Sequence, residues 1–410
     1  MLFFIFLFLI TSEYVGIGHY LPIYSKLPIT LGLAALLLLA VVSKNKISDF
    51  FKYKPASYTL VFVLLTGFAM FHGFVRSSAV EPFKVQIGYF IYTIICAYLI
   101  SDKKSFRTFT LVFTIAHAAL VIINVDKLGA ERVGHYLAGF FLGDGNDFGW
   151  SMNLAFPLAL HLASTTKSTL YKYLYFGLAG IIVIGIIGTQ SRGSSLALGT
   201  GLLYYLIFIS SKKLAGFSLL GLIVLGVLLF SPADYFSRMG TLANYEEDTS
   251  AMGRIKAWGT ATEMAIDHPI LGVGAGSFNS AYGRIYRKPD DPVRWISTHS
   301  VYFKVIAEYG FPGLIIYLLT IWHTIKVNMN SLSLIRQNQD RIDITPIWPQ
   351  SLIWSTLAWS VCAAFLTGYL YPHLFLLMGL TIGMHRMVSR EVAEAVEPLE
   401  AVPVKKVRKF

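Results

Sequence analysis

The sequence predicts an all-α membrane protein of about twelve transmembrane helices with a helical cap outside the membrane. Hydrophobic residues make up 55% of the 410 residues and charged residues only 14%, whereas soluble domains contain about 25% charged residues. Apolar runs of about 18 residues, each long enough to cross roughly 30 Å of hydrocarbon, recur along nearly the whole chain. The longest interruption, residues 231–300, is polar and contains one amphipathic segment.

The predicted transmembrane helices form two blocks, residues 1–230 and residues 301–388. The first apolar run, MLFFIFLFLI, lacks the basic segment and the cleavage motif of a signal peptide, so we expect a retained span. The spans are predicted at about 1–18, 27–43, 57–75, 83–100, 106–124, 147–164, 172–188, 193–210, 214–230, 301–325, 347–366 and 372–388.

Basic residues are concentrated in the short loops between spans and in the tail 389–410, which ends VKKVRKF. Because loops on the cytoplasmic side carry an excess of lysine and arginine, both termini are predicted in the cytoplasm. The net charge of +11 is then a consequence of topology and does not indicate a nucleic-acid partner. Cys96 and Cys362 fall inside predicted spans, which indicates buried thiols rather than disulfides or a metal site.

Residues 231–300 are predicted to form a long external loop that contains one amphipathic helix. In SAMGRIKAWGTATEMAIDHP, apolar residues recur at helical spacing and Pro269 follows the expected end. The glycine-rich sequence LGVGAGSF predicts a turn after this helix. On a 3.6-residue repeat, Arg254 lies beside an apolar face made of Ile255, Trp258, Ala261 and Ala265.

His299 lies where the external loop returns to the membrane, in the sequence STHSVYFKVIAEYGFPGLIIYLL. A neutral imidazole can accept a proton near pH 7, as a general base must. The positive end of the following helix would disfavour the charged imidazolium and keep the ring available as a base. A histidine at a helix start can equally be a structural hydrogen-bonding residue, and both interpretations stay open on the pattern alone.

Arg192 lies in IIGTQSRGSSLALG, between two apolar runs with almost no loop. The simpler interpretation is an interfacial arginine whose side chain extends to water. However, an ionisable residue at the edge of a membrane is a functional-site candidate. The flanking glycines and serines would let backbone N–H groups approach an anion, and the planar guanidinium suits phosphate oxygens.

Further basic residues are weaker candidates for contact with an anion. Arg254 stands on the cap helix, where a solvated polar face is the simpler interpretation. Arg76 and Lys84 bracket the short external loop RSSAVEPFK, in which Glu81 could pair with either of them. A looser basic set precedes His299 and could attract an acidic lipid head group or a charged glycan: Arg284, Arg287, Lys288 and Arg294.

Acidic residues near the predicted external side have structural interpretations. Asp144 and Asp147, in GDGNDFG, predict a turn and an N-cap for the sixth span. Glu308 could pair with Lys304 one turn earlier on the tenth span. These groups contain no DxD motif and no histidine cluster, so neither a metal nor a cofactor is expected. Together the features predict an outward-facing anion site that suits a lipid pyrophosphate.

Three sequence motifs in order resemble the bacterial O-antigen ligase superfamily. They are TQSRG after a span, SAMGRIKAW with HPILGVGAGSF, and THSVYFKVIAEYGFPGL. With GNDFGWSMNLAFPLAL ahead of them, their wording is most similar to the exosortase-A-associated O-ligase branch. The resemblance covers roughly Gly143 to Leu319. Ser300 follows the histidine, where many members have asparagine, so the subfamily stays open.

The resemblance implies a glycosyltransferase of the GT-C type in the bacterial inner membrane, active at the periplasmic face. It would transfer a glycan from undecaprenyl pyrophosphate to a hydroxyl group of a lipid or protein acceptor, without a metal or nucleotide sugar. By the same resemblance, Arg192 and Arg254 hold the pyrophosphate and His299 is the base for the acceptor hydroxyl. A polysaccharide polymerase is the alternative within this chemistry, and a transporter or flippase is the alternative outside it.

Overall fold

The computed structural model of the chain describes residues 1–21, 29–129, 142–210, 217–218, 221, 249–289 and 296–400. The regular structure of this part of the chain is helical, without strands, which confirms the all-α prediction. The long helices are α1 (Leu2–Val15), α2 (Ile29–Lys44), α3 (Lys54–His72), α4 (Val80–Leu99), α5 (Lys103–Ile123), α6 (Gly145–Thr165), α7 (Thr169–Gly188), α8 (Arg192–Tyr204), α9 (Thr249–Asp267), α10 (Val301–Gln337), α11 (Ile347–Ala363) and α12 (His373–Glu400). Short helical turns occupy Ile17–Tyr20, Ile47–Lys52, Arg76–Ala79, Val125–Lys127, Tyr205–Ile209, Phe278–Ala281 and Tyr282–Tyr286.

The helices have the length and surface of a multi-pass membrane protein. Large apolar side chains on α2 and α3 are exposed, with Leu31 at 70% and Phe71 at 72%, as expected of a lipid-facing surface. The helices α1 and α2 are apolar but shorter, and the predicted ninth span, 214–230, lies almost wholly outside the described residues. Among the described residues, 6 helical segments are long and apolar enough to cross a membrane: Lys54–His72, Arg76–Leu99, Lys103–Ile123, Thr169–Gly188, Arg192–Ile209 and Val301–Gln337.

Helix α6 lies at the centre of one half of the bundle. Every residue from Phe148 to Ala163 is buried, because the helix packs against α5, α7, α8 and α11. A helix with apolar side chains around most of its circumference belongs in a protein core or in a membrane, and α6 lies in the core of this bundle. The arrangement brings the N-terminal end of α8 close to the C-terminal end of α11.

Helix α10 is broken near one end, whereas the sequence predicts a continuous span over 301–325. Gly310 has φ 67° and ψ −170°, and Pro312, which has no N–H donor, follows it. A side chain at Gly310 would place its Cβ 2.5 Å from the carbonyl oxygen of Pro269. That carbonyl accepts a hydrogen bond from the Phe311 N–H at 2.9 Å. The break therefore lets the Pro269 carbonyl, which follows α9, bond to the backbone of α10, and this bond attaches the cap to α10.

The two ends of the bundle carry different elements. We call the end that holds α9 and the start of α10 the cap end. At the other end, about 30 Å away along α4, Arg386 Nη1 donates to the Ala97 carbonyl at 3.1 Å and Arg390 Nη2 donates to the Ser101 carbonyl at 2.6 Å. These cations compensate the carbonyl groups at the C-terminal end of α4. Helix α12 continues to Glu400, through the start of the predicted tail.

Candidate active site

The cap helix α9 packs through Trp258 on the outer part of α10, which we define as the residues from 301 to the break at Gly310. The residues after the break are the inner part. The indole Nε1 donates a hydrogen bond to the Thr298 carbonyl at 2.8 Å, and the ring stacks on Phe303 with centroids 5.0 Å apart. Arg254 lies one turn before Trp258 on the same side of α9 and is half-buried. This hydrogen bond therefore places the arginine-bearing turn of the cap next to the residue that precedes His299.

The buried face of α9 differs slightly from the predicted one. Ala261 and Ala265 are buried as predicted, whereas Ile255 is 43% exposed. The buried side is centred on the small residues Ala257 and Ala261 instead, because they allow the helix to approach α10 closely. A helix does occupy Thr249–Asp267 in this segment, and Ile255 lies outside its buried side.

His299 lies just outside α10 in an unusual backbone conformation. Its φ is 44°, in the left-handed region that residues other than glycine rarely adopt. The neighbours Thr298 and Ser300 are buried, whereas His299 is exposed. Ser300 is the N-cap of α10, and its Oγ accepts a hydrogen bond from the Phe303 N–H at 3.5 Å. A tightly held turn thus presents the imidazole at the surface of the cap end.

Arg192 is the first residue of α8 and is half-buried. Ser191 caps this helix, with its Oγ accepting from the Ser194 N–H at 3.3 Å. Gln190 has φ 52°, and among the described residues it shares with His299 the property of a positive φ in a non-glycine residue. Both predicted site positions, Arg192 and His299, therefore lie at or beside a strained turn that begins a helix.

The connection between α11 and α12, residues 364–372, contacts both of these turns. A Cβ added to Gly193 would lie 3.2 Å from the Phe365 Cβ, so the start of α8 packs directly on this connection. Two residues later, Thr367 Oγ1 accepts a hydrogen bond from Ser297 Oγ at 3.2 Å. The sequence pattern gives no role to residues 364–372, yet they join the neighbourhoods of Arg192 and His299.

The glycine turn, residues 271–277, joins the cap to α3, α4 and α10. Its Val273 N–H donates to the Ala307 carbonyl at 2.8 Å, and its Val273 carbonyl accepts from the Phe74 N–H at 2.8 Å. Gly274 has φ 94°, and a side chain there would collide with Gly73. Only glycine permits this close approach of two backbones. The predicted turn is confirmed, and it fixes the cap to the bundle.

The other predicted basic residues are spread over the cap end. Arg76 and Lys84 are exposed, and the turn that Arg76 begins is held to the glycine turn because Ser78 Oγ donates to the Ala275 carbonyl at 2.9 Å. Arg284 is exposed and Arg287 is half-buried, both after the glycine turn. Arg294 lies outside the described residues.

A polar cavity of about 410 Å³ lies on the side of α9 that faces away from Trp258. The Tyr286 hydroxyl donates to Asp267 Oδ2 at 2.8 Å, and burial together with this carboxylate raises the pKa of Tyr286 to about 12. The hydroxyl is therefore a permanent hydrogen-bond donor near neutral pH. The cavity is lined by Lys256, Gly259, Thr260, Glu263, Tyr286 and Lys288.

The acidic residues take the structural positions that the sequence predicts. Asp144 is the N-cap of α6, with its Oδ1 accepting from the Asp147 N–H at 2.9 Å. The Asp147 carboxylate accepts from the Tyr371 hydroxyl, which ties α6 to the 364–372 connection. Lys304 Nζ lies 3.9 Å from Glu308 Oε1, which confirms that pair. The side chains of Cys96 and Cys362, which are also buried, form no disulfide.

Comparison with known proteins gives one informative result. A family model described as O-antigen ligase matches residues 177–318, a segment that includes Arg192, Arg254 and His299. The match does not distinguish the exosortase-A-associated branch, which stays a prediction. A search of curated proteins found no match.

Proposed function

We propose that this chain, whose residues 177–318 match the O-antigen ligase family, transfers a glycan from undecaprenyl pyrophosphate to a hydroxyl group of an acceptor. The acceptor is a lipid, such as the lipid A core, or a protein. The observation that carries this proposal is the set of contacts between the neighbours of three residues. Trp258 joins the turn of Arg254 to that of His299, and residues 364–372 join the turn of His299 to that of Arg192.

Arg192 and Arg254 bind the pyrophosphate of the donor in this proposal. Arg192 stands at the N-terminal end of α8, where the helix dipole also favours an anion. Both arginines are half-buried, and electrostatic attraction is stronger in such surroundings than in bulk water. Two guanidinium groups can neutralise the charge that develops on the leaving pyrophosphate, which is why no metal ion is required.

His299 accepts the proton of the acceptor hydroxyl as its oxygen attacks the anomeric carbon. The bond between that carbon and the pyrophosphate oxygen breaks in the same step, and the electron pair leaves with the pyrophosphate. Such general-base assistance contributes about 10²–10⁴-fold to a rate. A single displacement inverts the configuration at the anomeric carbon, so the product has the opposite anomeric configuration to the donor.

The proposed orientation places the cap end in the periplasm of the inner membrane and both termini in the cytoplasm. Arg386 and Arg390 lie at the opposite end of the bundle from α9. Basic residues at that end follow the positive-inside rule. The polyprenyl tail of the donor would then lie among membrane lipids while its glycan and the acceptor meet at the cap end.

The test is transfer by the purified chain in vesicles that contain a lipid-linked glycan and a candidate acceptor. The variants Arg192→Ala and His299→Ala should insert normally and abolish transfer, and Arg341→Ala, an exposed residue far along the chain, should not change it. Wild-type rates in either site variant would refute the assigned roles. Movement of the glycan lipid across the vesicle membrane without covalent transfer would instead identify a transporter.

The lipids that accumulate in a deletion strain distinguish a ligase from a polymerase. Without a ligase, the finished glycan is not transferred to its acceptor, so full-length lipid-linked glycan accumulates. A polymerase deletion leaves single repeat units on the lipid carrier. We expect the first result.

A further inference from the structure

Glu308 is a fully buried carboxylate close to the site proposed above. Its side chain is 0% exposed, although it lies less than three turns from His299 on the outer part of α10. A buried carboxylate is strongly unfavourable unless hydrogen bonds and an opposite charge compensate the loss of water. The partners of Glu308 therefore indicate what the carboxylate holds together.

Both carboxylate oxygens are engaged, each by a different element. Oε1 accepts a hydrogen bond from the Phe278 N–H at 3.2 Å, directly after the glycine turn. Oε2 accepts from the Tyr369 hydroxyl at 2.9 Å, in the 364–372 connection. Lys304 Nζ lies 3.9 Å from Oε1 and 5.5 Å from the centre of the Tyr369 ring. One carboxylate thus joins the cap, α10 and the connection.

The connection contacts the chain neighbours of two residues assigned to the reaction, Arg192 and His299. Tyr369 is two residues from Thr367, which accepts the hydrogen bond of Ser297, and the same connection packs on the residue after Arg192. We propose that Glu308 is a positioning residue for glycan transfer, which sets the placement of His299 relative to Arg192. This inference rests on the function proposed above.

Tyr309, the residue after Glu308, attaches the same part of α10 to helices on another side. The Tyr309 hydroxyl lies 3.0 Å from Thr66 Oγ1 on α3 and accepts from Gln86 Nε2 on α4 at 3.4 Å. Thr66 and Gln86 are both buried. Tyr309 therefore fixes the outer part of α10 against α3 and α4, and the Glu308 side chain adds hydrogen bonds to the cap and to the connection.

Substitution Glu308→Ala tests the proposal. It leaves the Phe278 N–H and the Tyr369 hydroxyl without their acceptor and frees the two elements to shift. A displacement of about 1 Å between reacting groups can cost about 100-fold in rate, so we expect kcat to fall by that order. The KM for the acceptor should change by less than about threefold, because no substrate contact is removed. A wild-type kcat in this variant would overturn the proposal.

Two milder variants keep the test decisive if Glu308→Ala does not fold. Tyr369→Phe removes the hydroxyl that donates to Glu308 and almost no volume, and kcat should fall about tenfold. The matched control Tyr98→Phe removes the hydrogen bond to the Lys46 carbonyl at the opposite end of the bundle, and kcat should not change.

The second variant, Glu308→Gln, keeps the shape of the side chain. Its amide oxygen can still accept from the Phe278 N–H and its amide NH2 can donate to the Tyr369 hydroxyl oxygen, so kcat should recover to within about tenfold of wild type. Equal losses in the alanine and glutamine variants would contradict positioning by these hydrogen bonds.

Hydrogen–deuterium exchange separates this inference from the proposed function. The amides of residues 276–281 should exchange faster in Glu308→Ala than in the wild-type chain, because the Phe278 N–H loses its acceptor. Unchanged exchange there would refute the positioning role whatever the activity. Absence of transfer by the wild-type chain, with faster exchange in the variant, would refute the proposed function and leave the positioning of the cap supported.

Discussion

The indole Nε1 of Trp258 donates a hydrogen bond to the carbonyl oxygen of Thr298, 2.8 Å away. This bond joins the cap helix to the turn that presents His299, and the stacking of Trp258 on Phe303 holds the same two elements one turn further along. The cap is therefore part of the proposed site rather than a separate lid, because the arginine on α9 and the histidine before α10 are placed by one contact.

The first prediction concerns that hydrogen bond. Trp258→Phe removes the donor but keeps a ring that can stack on Phe303, so kcat for transfer should fall about tenfold, as expected for one hydrogen bond of about 1 kcal/mol or slightly more. The control is Trp322→Phe, which changes an indole that is 55% exposed on the inner part of α10. Equal kcat values in the two variants would contradict a role of the Trp258 bond in transfer.

The second prediction separates the base from the backbone turn. Asparagine tolerates the left-handed conformation of His299, where φ is 44°, so His299→Asn should keep the turn and lose the base. We expect kcat to fall by about 10²–10⁴-fold with donor binding unchanged. The control His323→Asn alters a half-buried histidine on the inner part of α10 whose Nδ1 lies 2.9 Å from the Leu319 carbonyl. Full activity in the first variant would exclude His299 as the base.

The fold could be predicted because the length of an apolar run and the basic charge of a loop are read from consecutive residues in the chain. Those patterns located α3 to α8 within a few residues and gave the amphipathic cap helix. The motifs around Arg192, Arg254 and His299 could also be found, since each is a short run of characteristic residues. The match over residues 177–318 covers the same positions.

The links between these motifs could not be predicted. Thr367 and Tyr369 lie in a segment whose apolar and aromatic letters, FLTGYLYPH, are typical of a span end. Their importance comes from contacts with Ser297 and Glu308, residues distant in the chain, and such pairings leave no periodic pattern in a single sequence. The break in α10 had a visible signal, the glycine and proline of YGFPG, yet the apolar run around it outweighed that signal.

A third prediction follows from that break. Gly310→Ala forces a side chain into a backbone conformation, φ 67° and ψ −170°, that essentially only glycine adopts, at a cost of about 1–3 kcal/mol, and brings its Cβ to 2.5 Å from the Pro269 carbonyl oxygen. We expect a melting temperature several degrees lower and a weaker attachment of the cap. Gly180→Ala is the matched control, because a Cβ at that position of α7 meets nothing within 4 Å. Equal melting temperatures would show that the break tolerates a side chain.

The fourth prediction concerns metal ions. If the charge on the leaving pyrophosphate is neutralised by Arg192 and Arg254, excess EDTA should leave the transfer rate of the purified chain unchanged. Arg192→Lys keeps the charge but loses the planar fork that binds two phosphate oxygens, so its rate should fall about 100-fold. The decisive comparison is the rate with EDTA before and after addition of single divalent ions. Strong inhibition that one particular ion reverses would mean that a metal, and not the second guanidinium, completes the pyrophosphate site.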